Sequence, residues 1–397
     1  MALCGCQTIC CEPLLDSLSK SWYLLDQGGI EMTGRERIAA ILAGKPTDRP
    51  GFWHGNPEDR TKEIYYRHFG IRDENKEIPE AFLRNSQVKT NKTGQADIDL
   101  AVAVGSDMIW ISPELEPATW KHPDGKPMWD FYDGGERKSL TQPGVFADCE
   151  DPSEVGRFDW PDPARLDFTT TLRDVDSANR VGLAVFGGMW MPFFHIAADF
   201  FGMENYLMKM CTNPAVVHAV TSRIVDFYIE ANRRCLDLMA DRLTAGFFGN
   251  DFGSQLNCII SPEMFEEFIM PYYKRMIVQM KSYGLKVIAH SCGAVDRVIP
   301  RLIEAGIDGL HPLQARASGM DAESLARKYK GRLVFIGGVD TQALLPFGTV
   351  DELRLEVRRL RDVFGERFIV SPSHEALLPN VAPEKVVAMA EEARRPF

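Results

Sequence analysis

The 397-residue chain has no window approaching the roughly 18 consecutive apolar residues of a membrane-spanning helix. Its N-terminus also lacks the basic flank and long apolar stretch of a secretory signal, so the expectation is a cytoplasmic protein with no membrane partner. There is no excess of basic residues: 45 Lys and Arg against 56 Asp and Glu leave a formal charge of -11. That balance argues against nucleic acid or an anionic membrane as the main partner. Paired cysteine spacing is missing too, and nine cysteines scattered over a long chain read as reduced thiols rather than a disulfide framework. Internal repeats and low-complexity segments are absent. Histidine is scarce, at eight residues, so the positions of those eight carry information.

What is present is ordinary for a globular enzyme: 45% hydrophobic and 25% charged residues. Residues 1–31 read as a separate N-terminal extension, peripheral or disordered; Cys4, Cys6, Cys10 and Cys11 have no partner histidine or spaced cysteine pair to complete a metal site. From Met32 a helix signal begins, with Thr33 as N-cap, Glu36 three residues later and Gly44 as stop. Residues 32–397 are expected to form one domain.

Short apolar runs then alternate with longer segments of helical period, the pattern of a parallel sheet covered by helices. Eight strands are predicted, within residues 50–54, 107–111, 181–188, 242–251, 285–292, 306–314, 332–340 and 367–374. Eight is the number that closes an α/β (β/α)8 TIM barrel. Helices are predicted over 261–284, with Ser261 as N-cap before Pro262, and over 294–306, 320–331, 349–365 and the last stretch "APEKVVAMAEEARRP". A long helical stretch is expected from Lys209 to Ala240. Between strands two and three lies an insertion, residues 112–165, in which "HPDGKPMWDFYDGG" reads as a hairpin laid over one barrel end.

In such barrels the chemistry collects at the carboxyl ends of the strands, where loops from different strands point at one axis. The residues there are His54, Ser112 with Glu114, Trp190, Asp251, His290 with Cys292, His311 with Gln314, Asp340, and His374 with Glu375. Four of the eight histidines, 54, 290, 311 and 374, fall at these ends. His290 and Cys292 are one residue apart, so an extended chain turns both to the same side. Zinc takes imidazole and thiolate together and in catalytic sites uses three protein ligands, the third supplied here by His374. The competing readings are a general acid or base at His290, a buried apolar thiol at Cys292, and a structural His311 satisfied by a backbone carbonyl. Asp251, with Asn250 and Gln255 in "FFGNDFGSQ", orients substrate, moves a proton or supports a histidine ligand, or else starts a turn. Asp340 in "IGGVDTQ" carries the same alternatives. Glu114 is a candidate catalytic acid, with a solvated carboxylate as its competing reading. His54, Gln314 and Glu375 are candidate substrate contacts, and Trp53, Trp110, Trp190 and Phe186 an apolar wall or simply core.

These motifs, in order, are "TGRERIAAILAGKPTDRPGFW", "GNDFGSQ…ISPEMFEEFIMPYYKR", "AHSCG", "FIGGVDTQALLPFGTVDELR" and "SPSHEALLPNVAPEKVVAM". Together they resemble the uroporphyrinogen decarboxylase superfamily, which includes zinc-dependent methyltransferases that work with corrinoid proteins. The decarboxylases carry an arginine-rich segment where this chain reads "PGFWHGNPEDR", and a glycine-flanked histidine motif where it reads "SPSHEA". The methyltransferase branch carries H-x-C and a distant cysteine as zinc ligands, which the resemblance transfers to His290, Cys292 and, in place of the cysteine, His374. It implies a methyltransferase moving a methyl group between a small substrate and the methylcobamide of a separate corrinoid protein. The alternatives are a metal-free decarboxylase of a small or tetrapyrrole carboxylic acid, with Glu114 or Asp251 stabilising charge and His290 or His374 handling a proton, and a non-catalytic binding barrel. The oligomeric state stays open, a homodimer among the options.

Overall fold

The computed structural model describes residues 32–73, 93–113, 128–133 and 138–397. The N-terminal extension, Glu114 and the Asp124-Gly125 turn of the expected hairpin lie outside the described residues. Each predicted strand segment contains one strand: β1 Gly51–Phe52, β2 Met108–Ile111, β3 Ala184–Gly187, β4 Ala245–Gly249, β5 Lys286–His290, β6 Gly309–Leu313, β7 Val334–Val339 and β8 Phe368–Pro372. They form one parallel sheet in the order β1-β8-β7-β6-β5-β4-β3-β2, with helices between them. This is a (β/α)8 TIM barrel.

The seam between β1 and β2 is stitched by one aspartate. Asp107 N–H donates to the Phe52 carbonyl at 2.8 Å, while Phe52 N–H donates to Asp107 Oδ2 at 2.8 Å. The same buried carboxylate accepts from Arg37 at 2.6 Å and Arg49 at 2.8 Å. A charge this deep is tolerated because every lone pair finds a donor.

Side-chain parity divides the core in two. Trp53, Met108, Trp110, Ala184, Phe186, Ala245, Phe247, Ile288, Val334, Ile336 and Ile369 form a cluster that fills the barrel, closed at one end by Ile38, Ile41 and Leu42. Their alternates, such as Phe52, Ile109, Val185, Phe248, Val287, Leu310 and Val370, pack outward against the helices. This is the two-residue period of a strand buried on both faces.

The helix signals have the expected chemistry. Thr33 and Glu36 form a capping box on Gly34–Leu42, and Thr349 and Glu352 form one on Val350–Phe364. Ser261 Oγ accepts the Met264 N–H at 3.2 Å at the start of Pro262–Phe268. The long stretch after Lys209 is two helices rather than one, Met203–Thr212 and Pro214–Met239. Pro214 has no N–H to continue the first helix and disfavours a helical residue before it, so Asn213 becomes the corner. The helix expected over 294–306 is confined to Ile299–Ala305. Among the described residues of the 112–165 segment, two short 3-10 helices appear, Pro152–Arg157 and Pro163–Arg165.

Candidate active site at the carboxyl ends of the strands

His290 ends β5 on the inward parity, two residues beyond Ile288 of the barrel plug. Its register partner on β6 is His311. The two buried rings meet Nδ1 to Nδ1 at 2.9 Å. On its other side, His290 Nε2 stands 3.1 Å from Asp251 Oδ1 and 3.6 Å from Cys292 Sγ. Glu375 Oε2, from the loop after β8, lies 3.9 Å from His290 Nδ1 and 3.7 Å from His374 Nδ1. Five strands' ends thus meet here, counting Trp190 after β3, whose ring stands edge-on to His290 at 5.2 Å.

The loop carrying Cys292 is held from two sides. Asp251 Oδ1 accepts the Cys292 N–H at 3.0 Å, and Gln314 Oε1 accepts the Gly293 N–H at 2.6 Å. Gly293 has φ +87°, and a Cβ there would collide with the Gly253 backbone. Glycine is therefore required where the loops after β4 and β5 cross. These contacts keep residues 291–298 out of the following helix and fix the direction of the thiol.

Charge in the cluster follows from proximity. Burial opposes ionisation of Asp251, yet the hydrogen bond and field of His290 hold its carboxyl well below the ordinary range. His290, although buried, is raised well above its usual value by Glu375, Cys292 and Asp251. Burial pushes the Cys292 thiol up to about 11, against the opposing field of His290. His311 is driven well below its usual value by burial and by neighbouring His290 and His374, so it stays neutral.

Among the described residues, three sets each bring their ligand atoms within 4.8 Å of one another: Asp251, His290 and Cys292; His290, His311 and Glu375; and Cys292, His374 and Glu375. Nitrogen, thiol sulfur and carboxylate oxygen together suit zinc. Glu375 Oε2 is buried without a hydrogen-bond partner, a carboxylate oxygen in need of a cation or donor. His290 and His374 do not share a set, and His374 Nδ1 accepts the Ala376 N–H at 3.1 Å. A neutral His374 in this state carries its proton on Nε2, so it must release Ala376 to ligate. That bond is worth about 1 kcal/mol, small beside the roughly 10–16 kcal/mol of a structural zinc site. The donors present fit the ion.

The structure places the other candidate residues as follows. His54 follows inward-facing Trp53 and so faces outward, its Nδ1 2.8 Å from Ser106 Oγ and its ring near Lys62 and Asp97. Trp53 is 1% exposed and belongs to the barrel plug, 5.0 Å from the His311 ring, with no surface left for substrate. The Asn250 amide is spent on Phe194 N–H and the Met191 carbonyl, holding the loop after β3. Asp340 accepts from Arg316 and from the Gln342 N–H, a turn role. Gln314 pins the Cys292 loop, and Gln255 is exposed, its carbonyl accepting the Ser318 N–H. Trp190 does line the cluster, beside Trp110 at 5.0 Å. His311 has no backbone carbonyl partner and joins the cluster instead. Its signal in the sequence was the one used for His290, a histidine ending a neighbouring strand.

Fold and site together define a (β/α)8-barrel enzyme with a mixed nitrogen, sulfur and carboxylate donor cluster at the strand carboxyl ends. The family model for uroporphyrinogen decarboxylase (URO-D) matches residues 138–396, and the chain belongs to that family. A methyltransferase from Methanosarcina mazei has a similar structure, with TM-score 0.60 and 14% identity over 91% of this chain and 98% of that one. Dispersin B gives TM-score 0.35 and 13% identity over 57% of this chain and 77% of its own. No curated protein matches the chain in sequence. Among the described residues, no helix is long and apolar enough to cross a membrane.

Proposed function

We propose that the chain is a zinc-dependent methyltransferase that moves a methyl group between a small substrate, such as a methoxylated compound or a thiol, and the methylcobamide of a separate corrinoid protein. The observation that carries this reading is the meeting of two sets of donor atoms at Cys292, one with Asp251 and His290 and the other with His374 and Glu375. His290, Cys292 and His374 would hold the ion, with Glu375 adjoining. When bound, zinc supplies Lewis acidity that polarises the heteroatom bearing the methyl group.

The chain's own residues set the conditions. Asp251 and Gln314 fix two successive N–H groups of the Cys292 loop, so the thiol is oriented before any ligand arrives. Trp190, Trp110 and Phe247 form an apolar wall beside His290 that keeps water away from it. Arg316, the guanidinium after β6, is already paired with Asp340 and is poorly placed to hold the carboxylates of a decarboxylase substrate.

The test begins with metal content, measured by plasma mass spectrometry on protein purified without chelator. About one zinc per chain is expected, lost in Cys292→Ala and His374→Ala, as a three-ligand site requires. Methyl transfer from methoxylated compounds to a cobalt(I) corrinoid would then be followed by absorption. A wild-type chain that takes up no metal, even when offered zinc under reducing conditions, would replace this reading with the metal-free decarboxylase.

A further inference from the structure

His290 and His311 face each other because register places them side by side on β5 and β6 and parity turns both into the barrel. At 2.9 Å between Nδ1 atoms, a single proton lies between them, so one ring donates and the other accepts. Of the two His290 nitrogens, Nε2 is the one turned toward Asp251 Oδ1 and Cys292 Sγ, while Nδ1 faces His311. A ligating nitrogen must be unprotonated, so a neutral His290 that ligates through Nε2 carries its proton on Nδ1. That proton needs an acceptor. Glu375 Oε2, at 3.9 Å, is beyond hydrogen-bond range, whereas His311 Nδ1 is within it.

We infer that His311 is a positioning residue: it accepts the Nδ1 proton of His290, and so fixes the tautomer and ring orientation that turn Nε2 toward the metal. The His311 ring is itself held by packing. It is fully buried, 5.0 Å from the Trp53 ring and 5.4 Å from Phe247, and its Nε2 has no hydrogen-bond partner. A buried polar atom left without a partner is unfavourable, and its retention beside an otherwise apolar plug has a reason if Nδ1 serves His290. The inference rests on the zinc reading above and adds to it a residue that does not touch the ion.

The experiment compares zinc affinity, by competition with a chromogenic chelator, for wild type, His311→Leu and His311→Asn. Asparagine keeps an acceptor oxygen near the place of Nδ1, and leucine has similar bulk without one. Leucine is expected to weaken zinc binding about 10- to 100-fold, the usual effect of removing an outer partner of a ligand histidine, with asparagine restoring most of the loss. Long-range proton–nitrogen NMR on zinc-loaded wild type gives a readout that needs no variant: the His290 proton is expected on Nδ1. Unchanged affinity in the leucine variant, equal losses in both variants, or a His290 proton on Nε2 would each overturn the role of His311 while leaving the zinc reading intact. A wild-type chain that binds no zinc would overturn both.

Discussion

His54 shows at the scale of one residue how burial, more than its charged neighbours, gives a measurable property. It is held beneath the outer helices against Ser106, with Asp97 and Lys62 as its charged neighbours, and burial lowers its pKa from 6.5 to about 4. The depressed folded value means that protons bind the unfolded chain first. Stability from this residue is therefore fully present above pH 6.5 and is lost as pH falls toward 4, by up to about 3 kcal/mol. Chemical denaturation of wild type and His54→Asn between pH 7 and pH 4 checks this. The variant should show a shallower fall, and parallel curves would mean that His54 is not the group responsible. The sequence marked His54 as a strand-end residue but could not tell its face from that of Trp53, because the difference is a single step of parity.

At the scale of elements, the join between β1 and β2 depends on Asp107, which bonds backbone on one side and two guanidinium groups on the other. Asp107→Ala would leave Arg37 and Arg49 buried without their shared counter-charge. A loss of about 3–5 kcal/mol is expected, read as a lower denaturant midpoint. A loss below about 1 kcal/mol, the level of an exposed ion pair, would show that the seam is held by strand packing instead. The candidate site is likewise a meeting of elements: the loops after β4, β5, β6 and β8 supply Asp251, Cys292, Gln314 and Glu375 in turn. Its helices were legible where local chemistry decides, as at Thr33, Ser261 and Thr349. They were misread where a proline corner at Asn213–Pro214 or the crossing of Gly293 over Gly253 decides.

For the whole molecule, bound zinc would act as a staple between β5 and β8. A ligand at a thousand times its Kd adds about 4 kcal/mol to the folded state. Treating the wild-type protein with a zinc chelator should lower its Tm, and adding zinc back should restore it, whereas Cys292→Ala should have the lower Tm with or without chelator. A wild-type Tm indifferent to both treatments would count against a resident ion. The sequence by itself determined the barrel, since eight apolar runs separated by helical periods and their caps are local patterns that admit few other closures. It also brought His290, Cys292, His374 and Asp251 to one end of that barrel. Only the tertiary structure decided which of the strand-end residues meet: it turned His54 outward, spent Asn250 and Asp340 on loops, drew His311 in beside His290 and left Glu375 between two histidines. The reason is that strand position is written in short-range hydrophobicity. Which side chains touch depends on register, parity and loop crossing, which the folded barrel fixes between segments far apart in the chain.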